Sequence, residues 1–207
     1  SSAASDVYKR QARNPELVIN FYNERRKQLL DVVPNAGHLG VADLERDFNV
    51  TVVTQNVDNL HERAGSTHVI HLHGELTKVC SSRDPYNPHF VKELAPEEYE
   101  VKLGDKAGDG TQLRPFIVWF GESVPEIETA IRYVEQADIF VIIGTSLNVY
   151  PAAGLLNYVP RAAEVYLIDP KPVDTHVMRP IHVIQKGASE GVKELKALLT
   201  VTQPPLP

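Results

Sequence analysis

Residues 54–74 read TQNVDNLHERAGSTHVIHLHG and gather carboxamide, carboxylate and imidazole groups around two short apolar runs. Val50, Val52 and Val53 are β-branched and predict a strand; Gln55, Asn56, Asp58 and Asn59 follow at once, where a buried strand emerges into a loop. Ligands of open α/β sheets bind at such carboxyl ends. The second run, Val69-Ile70-His71-Leu72, delivers His73 immediately before Gly74, which predicts an imidazole at a turn where the backbone can approach a ligand closely. Donors, acceptors and one base are the ingredients of proton transfer to or from a polar ligand. Plainer readings compete: a polar cluster can simply cap a loop, and a lone histidine can simply satisfy a hydrogen bond. If the strand continues, His71 shares a face with His73. A two-histidine metal site is then a third reading, and no metal ligand is assigned.

A second signal is Gly144-Thr145-Ser146, directly after the apolar run 139–143. Two hydroxyls, backbone amides and a helix beginning near Pro151 suit ribose or phosphate oxygens. No G-x-G-x-x-G fingerprint accompanies them, so this motif alone is unspecific. Tyr22 and Arg25 are three apart and lie on one face of a predicted helix. The plain alternative there is a helix surface with Phe21 inward and Arg25-Arg26 solvated.

These groups need elements to position them. Leu17, Val18, Phe21, Tyr22, Leu29 and Leu30 recur at helical spacing, and Pro15 suits a first turn, which predicts a helix over 15–32. Asn35 can cap a second helix that ends before the strand at Val50. The apolar runs 116–120 and 139–143 predict strands buried on both faces, with a helix over 125–137 between them. A short strand over 165–168 and an amphipathic helix over 191–199 complete the alternation. The pattern predicts an α/β fold, Rossmann-like, with a mostly parallel sheet flanked by helices.

Composition narrows the partners. The chain has 207 residues, 27 acidic against 21 basic, for a formal charge of -6, which argues against a nucleic-acid surface and favours small ligands or basic partners. Its one cysteine, Cys80, excludes an internal disulfide framework and a cysteine-rich zinc site and suits a reducing cytosol. No apolar run approaches the ~20 residues of a membrane span and no secretory pattern opens the chain, so a cytoplasmic protein is expected. Asp6-Val7-Tyr8-Lys9-Arg10-Gln11 resembles the translation of a transposon end used in library preparation, so residues 1–11 are set apart as a non-native tail. Residues 12–75 and 116–200 are then the two parts of the main domain, 76–115 a small insert rich in Pro, Gly and charge, and 201–207 a tail.

The combination of Gln55-Asn56-x-Asp58, the run 69–72 and His73-Gly74 resembles the sirtuin family of NAD-dependent protein deacylases. GTSLNVYPAAG at 144–154, Ile168-Asp169-Pro170-Lys171 and Gly187-Ala188-Ser189 are similar to further stretches of that family, and the resemblance spans about 14–199. It implies NAD as a co-substrate and acyl-lysine proteins or peptides as partners. His73 would be the general base, and Gln55, Asn56 and Asp58 the nicotinamide and ribose pocket. Gly144, Thr145 and Ser146 would contact NAD, Asp169 would stand at the adenosine ribose where the family often has Asn, and Ala188 would lie in a loop covering adenine. Val149 and Pro151 would lie near the acyl-lysine peptide. Tyr22 and Arg25 resemble the Tyr-x-x-Arg pattern of sirtuins, bacterial ones included, that remove succinyl and malonyl groups, since a hydroxyl and a guanidinium can bind a distal carboxylate.

Two departures from the family shape the expectations. Most members close the small module with four zinc-binding cysteines, whereas here only Cys80 is present, which implies a zinc-free insert held by local packing. Members also begin with a strand, a Gly-Ala-Gly-x-Ser loop and a Pro-x-Phe-Arg segment, and this sequence starts after all three. An N-terminally truncated chain, inactive by itself, is therefore expected. The alternative from another class is a non-catalytic fragment or module that binds acyl-peptide or ADP-ribose; a metal hydrolase has little support.

Overall fold

In a computed structural model of the chain, residues 14–145, 152–172 and 179–201 are described. Helix α1 (Pro15–Asp31) starts where Asn14 accepts a hydrogen bond from the Leu17 N–H at 3.1 Å and Pro15 fills the first turn. Helix α2 (Ala36–Asp43) starts on a capping box: the Asn35 side chain accepts from the His38 N–H, and the His38 ring accepts from the Asn35 N–H. Strand β1 (Val52–Thr54), helix α3 (Leu60–Ala64), strand β2 (Val69–His71) and strand β3 (Gly74–Ser81) follow. Then come β4 (Lys92–Glu93), β5 (Leu113–Ile117), helix α4 (Ile127–Val134), β6 (Ile139–Ile143), helix α5 (Ala152–Leu155), β7 (Glu164–Ile168), β8 (His182–Ile184) and helix α6 (Ala188–Val201). Among the described residues no helix is long and apolar enough to cross a membrane.

The chain folds into two compact units that cut across the sequence segments. One holds the described residues of Ser1–Val33 with Thr54–Asn59 and His71–Pro125; the other holds Pro34–Val53, Leu60–Ile70 and the described residues of Glu126–Pro207.

The second unit carries the expected parallel sheet, in the order β6-β7-β8, with Ile139 opposite Glu164 and Ile143 opposite Ile168. Its core joins Val41 and Leu44 near α2 to Ile168, Ile184, Val192 and Leu195. Helix α6 comes so close to β7 that a Cβ on Gly191 would stand 2.2 Å from the Ile168 side chain.

In the first unit, β3 lies between β4 and β5 in an antiparallel sheet, and α1 packs Ile19 against Val79 and Val101. This corrects the reading of 116–120 as a parallel strand buried on both faces. The strand is Leu113–Ile117, it pairs antiparallel with β3, and the run leaves it before Phe120, which is 55% exposed. A pattern of five apolar residues cannot register where pairing stops. The two arginines of α1 also diverge. Arg25 stays exposed over the Phe21 ring, whereas Arg26 is only 3% exposed and donates to the carbonyls of Tyr99 and Leu76 and to the Asn23 side chain. Burial lowers the Arg26 pKa to about 10.

Local hydrogen bonds organise the insert where its strands converge. The fully buried Ser81 hydroxyl donates to Asp109 at 2.7 Å and accepts from the N–H groups of Arg83 and Asp84, while Asp109 also accepts from the Thr111 hydroxyl and N–H. Cys80 beside it is core: its thiol is fully buried, donates to the Pro115 carbonyl, and is pushed up to about 11 by burial. Ser81→Ala, which strips the hub of this cluster, is expected to destabilise the protein by about 1–3 kcal/mol in urea unfolding. An unchanged midpoint would show that the cluster contributes nothing.

Candidate active site

The first unit collects six of the residues assigned from sequence. The loop after β1 is laced to the chain around β2 and β3 by four bonds. The Leu72 N–H donates to Thr54, the His71 ring to the Asn56 carbonyl, the His73 ring to the Gln55 carbonyl, and the Leu76 N–H to Val57, over 2.7–3.2 Å. The Asn56 N–H adds a bond to the Thr54 hydroxyl. Gln55 and Asn56 are therefore placed through their backbone groups, and Asp58 follows Val57 on the same laced loop.

His73 is fixed from both sides. Its carbonyl accepts from the Val118 N–H at 2.9 Å, and its Nδ1 lies 3.2 Å from the Gln55 carbonyl. A carbonyl only accepts, so Nδ1 carries the proton and the neutral ring presents a lone pair at Nε2. Burial lowers the pKa of this ring, and the Gln55 bond offsets part of that. Gly74 makes the turn at φ +84°, and a Cβ there would stand 2.1 Å from the Phe116 carbonyl. The close backbone approach expected at this glycine is thus made by β5 itself.

A polar ligand fits this loop. The Gln55 side-chain nitrogen is buried with no hydrogen-bond partner among the described residues, an arrangement costly in a core and suited to an acceptor from outside. It sits on the residue whose carbonyl orients His73, so a base and an unspent donor are adjacent.

Tyr22 and Arg25 lie one turn apart on α1. The Tyr22 hydroxyl accepts from the Trp119 indole N–H at 3.1 Å, and burial, against the pull of that bond, raises its pKa. Trp119 leans on an ion pair that sequence reading missed. Arg114 stacks on its ring at 3.4 Å and grips Glu122 with bonds of 2.8 and 3.0 Å, and Glu122 also accepts from the Trp119 N–H. The signal was present in Arg114 and Glu122, which bracket the apolar run 116–120, but a strand reading gives such flanking charges no partner.

The second unit groups the remaining described residues. Gly144 ends β6 with φ +63°, and its N–H donates to the Ile168 carbonyl. Thr145 follows, and Asp169 leaves the adjacent parallel strand β7, so both sit at carboxyl ends of neighbouring strands. Asp169 accepts the Lys171 N–H on one oxygen at 2.8 Å, and the other has no hydrogen bond among the described residues. Ala188 opens helix α6 rather than lying in a loop, because Gly187 accepts the first helical bond from Gly191. Ser146, Val149 and Pro151 lie outside the described residues.

Known proteins resemble this chain in sequence and in fold. The chain is similar to an NAD-dependent protein deacylase of Bacteroides thetaiotaomicron, 83% identical over 187 residues, covering 90% of this chain and 80% of the relative. One from Helicobacter pylori is 47% identical over 183 residues, covering 88% and 77%. Among solved structures, a Sir2 homolog in complex with NAD superposes with a TM-score of 0.77 at 36% identity, covering 93% of this chain and 75% of that one. A Sir2 protein with bound peptide and NAD+ reaches 0.74 at 26% identity, covering 94% and 82%. The Sir2 family model matches residues 2–151, and with these relatives it shows that the chain belongs to the Sir2 family.

Proposed function

We propose that this chain is the body of an NAD-dependent protein-lysine deacylase whose acyl pocket favours succinyl and malonyl groups. The observation that carries the reading is the pairing, within one unit, of a neutral His73 with a lone pair at Nε2 and a Tyr22–Arg25 pair on one face of α1. NAD supplies an electrophilic ribose carbon with nicotinamide as its leaving group, and it is consumed as a second substrate.

Gln55, Asn56 and Asp58 hold the nicotinamide and its ribose, with the Gln55 amide as a donor to the ligand. His73 Nε2 takes the proton of a ribose hydroxyl, while the Gln55 carbonyl keeps the ring in the required tautomer. Gly144, Thr145 and Ser146 contact NAD, Asp169 binds the adenosine ribose, and Ala188 lies against adenine. Val149 and Pro151 flank the acyl-lysine peptide. The Tyr22 hydroxyl and Arg25 guanidinium take the distal carboxylate of the acyl group, which an acetyl group lacks. The insert works without zinc, since its one thiol is spent in the core.

The full-length protein is expected to release nicotinamide from NAD with a succinyl-lysine peptide faster than with an acetyl-lysine peptide. Arg25→Met should lower kcat/KM for desuccinylation about 10- to 100-fold, the size of a charge-assisted bidentate contact, and deacetylation much less. Equal losses on both substrates would refute the acyl assignment. Peptide binding without nicotinamide release would refute turnover and favour the binding-module alternative.

A further inference from the structure

A tyrosine hydroxyl is an ambiguous partner for a carboxylate because it both donates and accepts. In this protein the ambiguity is removed. The indole N–H of Trp119 can only donate, and it sits 3.1 Å from the Tyr22 oxygen. Tyr22 is therefore an acceptor toward the indole, and its own proton is left for another group. An ionised carboxylate only accepts. Burial keeps the phenol protonated across the neutral range, so it offers that carboxylate a donor and no opposing charge.

The indole is not free to turn away. Its ring face is covered by the Arg114 guanidinium at 3.4 Å, and its main-chain N–H donates to Glu122 at 2.9 Å. Arg114 and Glu122 are joined by two bonds, and Arg114 is anchored further on the Ile117 carbonyl at 2.7 Å. Trp119 is 8% exposed and Arg114 7%, so water competes little for these contacts. One ion pair thus grips the tryptophan by ring and by backbone, and the tryptophan sets the polarity of the tyrosine.

We infer that Trp119, clamped by the Arg114–Glu122 pair, is a positioning residue that selects acidic acyl groups by committing the Tyr22 hydroxyl to donate. The inference rests on the reading of Tyr22 and Arg25 as the carboxylate-binding pair. It adds a selectivity element that does not touch the substrate and that acts only through Tyr22.

The test uses Trp119→Phe, which keeps an aromatic ring against Arg114 and removes the N–H. In the full-length protein the ratio of desuccinylation to deacetylation, as kcat/KM, should fall about five- to tenfold, the size of one hydrogen bond to a charged group, and the fall should appear in KM. Calorimetry with the succinyl-lysine peptide should show Kd weakened by a similar factor. In a Tyr22→Phe background the same substitution should leave the ratio where Tyr22→Phe put it. If Trp119→Phe does not fold, benzothienylalanine at position 119 keeps the bicyclic shape and replaces the N–H by sulfur, and the same fall is expected. Parallel losses on both substrates would reduce Trp119 to packing and overturn the inference, as would an undiminished effect in the Tyr22→Phe background. A wild type that prefers succinyl peptide while Trp119→Phe keeps the ratio defeats this inference alone. A wild type without that preference defeats the acyl assignment beneath it.

Discussion

His73→Ala is expected to lower kcat for NAD-dependent deacylation by about 10²–10⁴-fold, the range that a positioned general base contributes. The expectation rests on three features that act together. The Gln55 carbonyl fixes the proton on Nδ1, the Val118 N–H fixes the backbone, and burial disfavours the charged ring. A base held in its neutral tautomer needs no reorganisation before it accepts a proton at Nε2. The sign of the pH dependence follows. The folded-state pKa lies below the ordinary 6.5, so the ring stays neutral at pH values where an exposed histidine is half protonated. The acid limb of kcat/KM should accordingly fall below pH 6.5. The same depression means that the unfolded chain binds this proton more readily, so the contribution of His73 to stability is present above 6.5 and lost as pH falls. A pH–rate profile and single-turnover kinetics on His73→Ala check both points. A loss under about fivefold, well short of the range for a general base, would remove His73 from the chemistry.

Glu122→Ala is expected to be the most damaging single change to stability among those considered, at about 3 kcal/mol, since it strands the buried Arg114 guanidinium. For a chain of this size that corresponds to a fall in Tm of roughly 6–12 °C. Arg114 has an 8% exposed side chain and Glu122 a 23% exposed one, so the penalty falls on a charge with little access to water. The paired substitution Arg114→Met with Glu122→Leu should cost less than Glu122→Ala alone, because no unmatched charge remains. The pH dependence is again signed. Burial raises the Glu122 pKa, but the bonds from Arg114 and from the Trp119 N–H outweigh it and hold the carboxyl below its ordinary 4.5. The stabilisation is therefore complete above 4.5 and lost as pH falls through the lower folded value. Urea midpoints at pH 7 and pH 4 measure it. A double variant less stable than Glu122→Ala would contradict the account.

Much of both units was legible in the sequence, and the reasons are local. Pro15 suits a first turn and Asn35 a cap, so the starts of α1 and α2 followed from single residues, while the Asn14 cap emerged only in the structure. The polar loop after β1 and the His73-Gly74 turn were legible because strand ends and left-handed glycines are short-range features. The parallel runs of β6 and β7 were legible because both are short apolar stretches bounded by breaks. What escaped reading depends on distant partners. Nothing adjacent to Phe116 says that β5 runs antiparallel to β3, and nothing adjacent to Arg26 says that the carbonyls of Tyr99 and Leu76 will bury it. The Trp119 network joins residues 97 positions apart, beyond any periodicity argument.

The state of Cys80 has a practical side. With the thiol fully buried and its pKa pushed up to about 11, roughly one molecule in ten thousand carries the reactive thiolate at pH 7. Maleimides, peroxide and thiol-exchange reagents should therefore pass this chain by while it stays folded. A cysteine introduced on the exposed face of α1 can be tagged with a fluorophore without first removing the native one, and the slow reaction of Cys80 itself becomes a clock for opening of the β3–β5 sheet.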